Sequence, residues 1–250
     1  MFRRFPSKRA LAAAAKLRGR RLEKRWPFLP RAEGKALNLT FDDVLEFQYA
    51  RTRDFVFVVV GAFDGLANDP ISHFIRTHDC RGVLLEPQPA AYERLCQNFR
   101  NFPRCTVVNR AIDEVSGSRP LYYVAAGSEG LPEWAEQIAS FRLEHVRKHE
   151  ARAPGLAAAI RTQIIPTISF DDLLDTFRLR SIDVLQIDAE GMDAQLLAWF
   201  PFQRLRPSVL HYETAHMTDA EHAAVRARLG QLGYAVREAD EPTDDMAILL

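Results

Sequence analysis

The sequence predicts an α/β fold, a mostly parallel, doubly wound sheet with helices on both faces. Three observations predict it. A continuous apolar, largely β-branched run, Phe55 to Val60, stops at Gly61. Strand and helix patterns alternate up to Val108 and again from Ser169 to the C-terminus. The 250 residues, 47% hydrophobic and 26% charged, suffice for one large domain with a full core. A strand apolar at every position suits burial on both faces, as in a parallel sheet, and the alternation is the rhythm of βαβ units.

In chain order, residues 1–39 read as a basic tail and linker and residues 40–250 as the main domain. Ser7 to Leu22 is Ala- and Leu-rich with a weak apolar stripe, and Trp26 to Pro30 breaks any helix. Thr40 can cap a short helix with Asp42 and Asp43 in its first turn. After the 55–60 strand come a helix from Pro70 to about His78, a strand Val83–Leu85, a helix Pro89–Arg100 and a strand Thr106–Val108. Leu121–Val124 reads as a short accessory strand. Residues 127–166 read as a long, mainly helical insertion carrying Trp134, Phe141, His145 and His149, and insertions at this end of an α/β sheet commonly form a lid. The rhythm resumes with a helix Ser169–Phe177, a strand Ile182–Ile187, a helix Gly191–Trp199, a strand Val209–Tyr212 and a helix Thr218–Leu232. Tyr234–Glu238 and Met246–Leu250 complete about seven strands.

Composition excludes several classes. No apolar run approaches the roughly 20 residues of a membrane span, and the N-terminus lacks a secretory apolar core, so a cytoplasmic chain is expected. Cys80, Cys96 and Cys105 form no CxxC pair and read as reduced thiols. The formal net charge is zero, but ten basic residues against Glu23 fill residues 1–25, so the rest carries nine more acidic than basic residues. An acidic body argues against duplex nucleic acid, while the basic head suits RNA or an anionic membrane surface, or is simply a solvated tail.

Two motifs carry chemistry. The first strand runs into Gly61-Ala62-Phe63-Asp64-Gly65, where two glycines permit a tight turn and close backbone approach to a ligand. The second strand ends at Glu86, about 20 residues on, placed to accept hydrogen bonds from ribose hydroxyls. Together they indicate a cofactor containing adenosine. Farther on, Asp188, Glu190 and Asp193 crowd the loop after the 182–187 strand, a cluster able to hold a divalent metal or supply a base. Asp193 reads as a first-turn helix acid and His211 as a packed strand histidine. The next strand ends in His211-Tyr212-Glu213, with His216 beyond. Neighbouring parallel strands lie roughly 5 Å apart, so Asp188 and Glu213 can face one crevice.

With these blocks in view (VVVGAFDGLANDP, RGVLLEPQP, VVNRAI, SIDVLQIDAEGMD, HYETAHM and LGYAV), residues 52–250 resemble the FkbM-type methyltransferases. The resemblance implies a class I Rossmann-like methyltransferase fold with strand order 3-2-1-4-5-7-6 and an antiparallel seventh strand. It also implies S-adenosylmethionine as cofactor and a hydroxyl acceptor, such as a sugar or other small metabolite. Carried across by position, Gly61, Ala62, Asp64 and Gly65 line the methionine and ribose end, and Glu86 holds the ribose. Asn109, Arg110 and Ala111 sit by the adenine, and Asp188 lies under the methyl. Phe63 stands where the family most often has asparagine.

The cofactor supplies the electrophile, and a hydroxyl acceptor needs its proton removed. Asp188 or His216 is the expected base, with Glu213 orienting. Asp188 and Glu213 also resemble the pair of acids with which related sugar O-methyltransferases hold Mg²⁺. Tyr123, Trp134 and Phe141 are available to stack on a sugar ring. The competing readings are an NAD-dependent oxidoreductase, which expects a GxGxxG turn that is absent, and a non-catalytic scaffold keeping the fold.

Overall fold

All six residues of the Phe55–Val60 strand are buried, because it has a parallel strand on each side and helices above and below. The computed structural model describes residues 40–67, 69–240 and 243–250. The basic head and linker expected over residues 1–39 therefore lie outside the described residues. The elements run α1 (Phe41–Arg51), β1 (Phe55–Val60), α2 (Ser72–Thr77), β2 (Cys80–Leu85), α3 (Pro89–Phe99), β3 (Cys105–Val108), β4 (Ala111–Ile112) and β5 (Gly117–Val124). Then come β6 (Ala139–Ser140), α4 (Leu143–Lys148), α5 (Leu156–Ala159), β7 (Ile160–Ile168), α6 (Phe170–Thr176), β8 (Val184–Ile187) and α7 (Asp193–Trp199). The chain closes with β9 (Val209–Glu213), α8 (Asp219–Gln231), β10 (Tyr234–Glu238) and β11 (Asp244–Leu249).

The large sheet has the order β10-β11-β9-β8-β1-β2-β3. Numbered along the chain as seven strands, that is 3-2-1-4-5-7-6, and β11 runs antiparallel to both of its neighbours. Alternate residues of β1 feed two cores. Phe55, Phe57 and Val59 pack with residues of α1, α2 and α3, whereas Val56, Val58 and Val60 pack with α6, α7 and α8. Three helices on each face cover the sheet, as a parallel sheet requires.

The ends of these helices follow their capping residues. Thr40 forms a capping box with Asp43, Thr218 forms one with Glu221, and the Ser169 side chain accepts from the Asp172 N–H. Asp183 fastens α1 to the sheet: its carboxylate accepts from Gln48 Nε2 (2.6 Å), Thr52 Oγ1 (2.9 Å) and the Val56 N–H (2.8 Å). His211 is a packed residue, buried with its ring 4.3 Å from that of Phe41. The three cysteines are free thiols, with Cys80 buried. Among the described residues no helix is long and apolar enough to cross a membrane.

The mainly helical insertion expected over 127–166 is corrected. Its helices α4 and α5 are short, with 3₁₀ turns at Glu133–Gln137 and His149–Ala151, and its last part is the nine-residue strand β7. β7 pairs antiparallel with β5 over eight residues, in a separate four-stranded sheet of order β4-β7-β5-β6. The pattern hid this strand because Arg161 to Ile164 are all exposed and Pro166 interrupts it. β4 reaches β7 only at Thr167 and Ile168, so the strand tolerates the proline where that flank is open. The insertion has its own small apolar centre around Val124, Val146 and Leu156.

Candidate functional site

The carboxyl ends of β1, β2 and β8 open into a cleft, and the insertion closes one side of it. Sheets of this kind bind ligands at that end. The backbone at Gly61, Ala62 and Phe63 forms one wall. Gly61 has a φ of +81°, and a Cβ there would overlap the carbonyl oxygen of Asp188, so only glycine lets β1 and β8 end this close together. Phe63 also lies in the left-handed region, at φ +47°. Asparagine adopts that conformation more readily than phenylalanine. The Phe63 N–H donates to Glu86 Oε2 at 2.7 Å, and the Gln88 N–H donates to Oε1 at 2.7 Å. Glu86 is thus a buried carboxylate fixed by two backbone donors, and burial pushes its pKa up to about 7.

The other sequence-derived residues divide. Gly61, Ala62, Glu86, Arg110, Ala111 and Asp188 line the cleft. Asp64, Gly65 and Asn109 lie outside its lining. The Asp64 carboxylate accepts from the Leu66 and Ala67 N–H groups, both at 2.9 Å, and so shapes the turn. Gly65 leaves room for Phe99 and Leu95 of α3. Asn109 Nδ2 donates to the Glu86 and Pro87 carbonyls and holds the backbone after β2. Phe141 lines the cleft with Gln137 and Ser140 from the insertion, whereas Tyr123 and Trp134 lie outside it.

The methyltransferase FkbM domain matches residues 60–236, more than half of the chain and every residue that lines the cleft. This chain belongs to the FkbM methyltransferase family. Among solved structures it is similar to the methyltransferase FkbM from Methylobacillus flagellatus KT, at 14% identity and a TM-score of 0.48, over 78% of this chain and 43% of that one. The chain therefore spans less than half the length of that protein. It is also similar to precorrin-6y C5,15-methyltransferase from Geobacter metallireducens GS-15, at 15% identity and a TM-score of 0.40, over 90% of this chain and 100% of that one. A third, the N-methyltransferase NodS from Bradyrhizobium japonicum WM9, shares 9% identity at a TM-score of 0.41, over 82% of this chain and 90% of that one. No curated protein matches the chain.

At the β8 end of the FkbM cleft, acids converge. Ile187 pairs with Tyr212, so Asp188 is level with Glu213 on the next strand. Burial raises the pKa of Asp188, and the nearby carboxylates of Asp193 and Glu190 raise it further. Burial and Asp188 likewise raise Glu213, whose Oε2 is buried without a hydrogen-bond partner. Asp193 does sit in the first turn of α7, but it is buried and accepts from the Ala189 N–H at 3.2 Å, and burial holds it at about 7. Glu213 and His216 do not line the cleft itself. The ring of His216 is engaged on both sides: Nε2 lies 3.4 Å from Glu190 and 3.6 Å from Glu213, and Nδ1 lies 3.0 Å from Lys148 Nζ. Of the two expected bases, Asp188 is the one that faces the cleft.

Sequence reasoning passed over one pair of FkbM-domain residues and did not bring a second group of named residues together. Asp69 and Gln186 line the cleft side by side, with Gln186 Nε2 donating to Asp69 Oδ1 at 3.0 Å. The second oxygen of Asp69 and the carbonyl oxygen of Gln186 are buried without partners. No local pattern announces them, because they lie 117 residues apart in the chain. The second group is a cluster of His145, His149, Glu190 and His216. Its signal was the four-residue spacing of the first two histidines, which puts both on one face of a helical turn.

Proposed function

We propose that the chain transfers a methyl group from S-adenosylmethionine to a hydroxyl of a small metabolite, sugar-like in class, in the cytoplasm. The observation that carries this reading is the coincidence of the FkbM match with the cleft lining. The cleft also fits the cofactor. Gly61 and Ala62 line the cleft, with Gly61 leaving no room for a Cβ beside the Asp188 carbonyl, and the fixed Glu86 carboxylate keeps free lone pairs for ribose hydroxyls. Arg110 and Ala111, which the resemblance sets by the adenine, also line the cleft. The orphaned oxygens of Asp69 and Gln186 are acceptors suited to the methionine ammonium.

When bound, S-adenosylmethionine supplies a methyl group already made electrophilic by a sulfonium. The chain's own work is then alignment and proton removal. Asp188, which lines the cleft, takes the acceptor's hydroxyl proton, and Ser140 and Phe141 from the insertion line the same cleft. Mg²⁺ held by Asp188 and Glu213 is the second reading, favoured by the unpartnered Glu213 Oε2. Recovery of chelated enzyme by Mg²⁺ alone supports it.

Calorimetric titration of the full chain with S-adenosylmethionine and with NAD tests the cofactor. Saturable binding of the former, weakened about tenfold or more in Glu86→Ala, is expected from the loss of charge-assisted hydrogen bonds. Binding of NAD alone would sink the methyltransferase chemistry. Cofactor binding without methylation of any member of a broad hydroxyl-acceptor panel points instead to a scaffold.

A further inference from the structure

We propose that His145, His149, Glu190 and His216 bind one divalent transition-metal ion of the zinc type, which fastens the insertion to the loops that follow β8 and β9. This inference does not depend on methyl transfer.

Each of the four residues offers a ligand atom, and those atoms all lie within 4.8 Å of one another. Two edges of the group already have a metal site's dimensions. Glu190 Oε2 is 3.3 Å from His145 Nε2 and 3.4 Å from His216 Nε2. A tetrahedral ion with ligands at about 2.0–2.1 Å separates neighbouring ligand atoms by about 3.3–3.4 Å. The His149 ring completes the group, its centroid 5.5 Å from that of His145 and 5.8 Å from that of His216.

A second, independent observation points to a ligand. His149 is only 6% exposed, yet neither of its ring nitrogens has a hydrogen-bond partner. Buried polar groups are nearly always paired, so a buried imidazole facing two other imidazoles and a carboxylate is a donor without its acceptor. The surrounding backbone is built around the cluster. Glu190 takes a left-handed φ of +47°, its carbonyl accepts from Ser140 Oγ at 3.2 Å, and Gly191 follows at φ +85°. A Cβ on Gly191 would stand 2.5 Å from His145 Nδ1, so the glycine makes room for that ring.

Donor chemistry selects the ion. Three imidazoles and one carboxylate favour Zn²⁺ and its first-row neighbours over Mg²⁺ or Ca²⁺, which prefer oxygen. With four protein ligands the site is of the closed, structural kind. His145 and His149 come from the insertion, Glu190 from the loop after β8, and His216 from the loop after β9. One ion would tie all three segments together beside the cleft that Glu190 also lines. Lys148, which is exposed, now donates to His216 Nδ1, leaving the ring proton on Nε2 toward Glu190. Metal binding at Nε2 moves that proton to Nδ1, and the lysine turns to solvent.

The test uses the full chain, freed of any affinity tag and dialysed against chelator, then titrated with Zn²⁺ by calorimetry and with Co²⁺ by visible absorption. One equivalent of each metal, an intense four-coordinate Co²⁺ spectrum and a raised melting temperature with Zn²⁺ are expected. His145→Gln and His149→Gln should each weaken Zn²⁺ binding by about tenfold or more. His222→Gln, on a histidine paired with Asp245 at 2.8 Å, should leave it unchanged. Wild-type chain that takes up no stoichiometric Zn²⁺ overturns the proposal without any variant. So does His149→Gln chain, folded by circular dichroism, that binds Zn²⁺ as wild type does. A weak six-coordinate Co²⁺ spectrum overturns it as well.

Discussion

Glu86 shows how one side chain ties two segments of the fold together. Its two oxygens accept from the N–H groups of Phe63 and Gln88, so it shapes both the glycine turn after β1 and the start of α3. Burial is the largest influence on it and lifts its pKa from the ordinary 4.5 to about 7. The folded state therefore holds this proton more tightly than the unfolded chain does. Stability from this group is fully present below about pH 4.5, falls as pH rises toward 7, and is flat above that. Glu86→Gln removes the titration, so the pH-dependent part appears in the difference between the two proteins. Wild-type stability should drop relative to the variant by about 3 kcal/mol between pH 4.5 and 7.5 in urea melts. A difference that stays constant over that range would falsify the buried, proton-holding state. The variant's baseline should itself be lower, since one amide cannot accept from both backbone donors.

At the scale of elements, the contrast is between segments whose neighbours are close in sequence and segments whose neighbours are not. The strands of the large sheet are legible in the sequence because burial on both faces demands apolar runs such as Val56–Val60 and Val83–Leu85. The N-caps Thr40, Ser169 and Thr218 are legible for an equally local reason. β7 is not, since its exposed half carries no periodicity and its pairing with β5 is set across the insertion. In the site, Gly61 and Glu86 follow from position in a βαβ unit. Asp69, Gln186 and the histidine cluster depend on contacts between loops far apart in the chain. α1 presents the same issue as an energy. Asp183 holds it to β1 and β8 through Gln48, Thr52 and the Val56 N–H. Asp183→Ala leaves these buried donors unpaired and should cost about 3–5 kcal/mol in urea unfolding. Cofactor affinity of the folded fraction should stay within about threefold, because no cleft residue is lost. A cost under about 1 kcal/mol would mean that α1 is held by its apolar face alone.

Taken whole, the molecule assembles a strongly acidic pole at one end of its sheet. Asp188 feels the charges of Asp193, Glu190, Asp244 and Asp69, Glu213 feels those of Asp188, Asp193, Glu190 and Asp244, and burial raises Asp69, Asp188, Asp193 and Glu213. Glu190 is the exception: burial pushes it up, but hydrogen bonds from His145 and His216 outweigh this and hold it at about 2. Gathering carboxylates in low dielectric is costly unless a cation compensates. Under the proposed function, the sulfonium of the cofactor beside Asp188 would be such a cation, and its thioether product would not. A unit charge about 5 Å from a carboxylate gains about 3 kcal/mol at an effective dielectric of 20, before desolvation takes its share. Electrostatics of this kind would favour entry of the charged cofactor and release of the neutral product. Asp188→Asn keeps the shape of the cleft and removes one of its charges. It should weaken S-adenosylmethionine about tenfold and S-adenosylhomocysteine less than about threefold, both by calorimetry at one pH and salt concentration. Equal losses for the two ligands would mean that Asp188 contributes shape, and that the acidic pole answers to something other than the sulfonium charge.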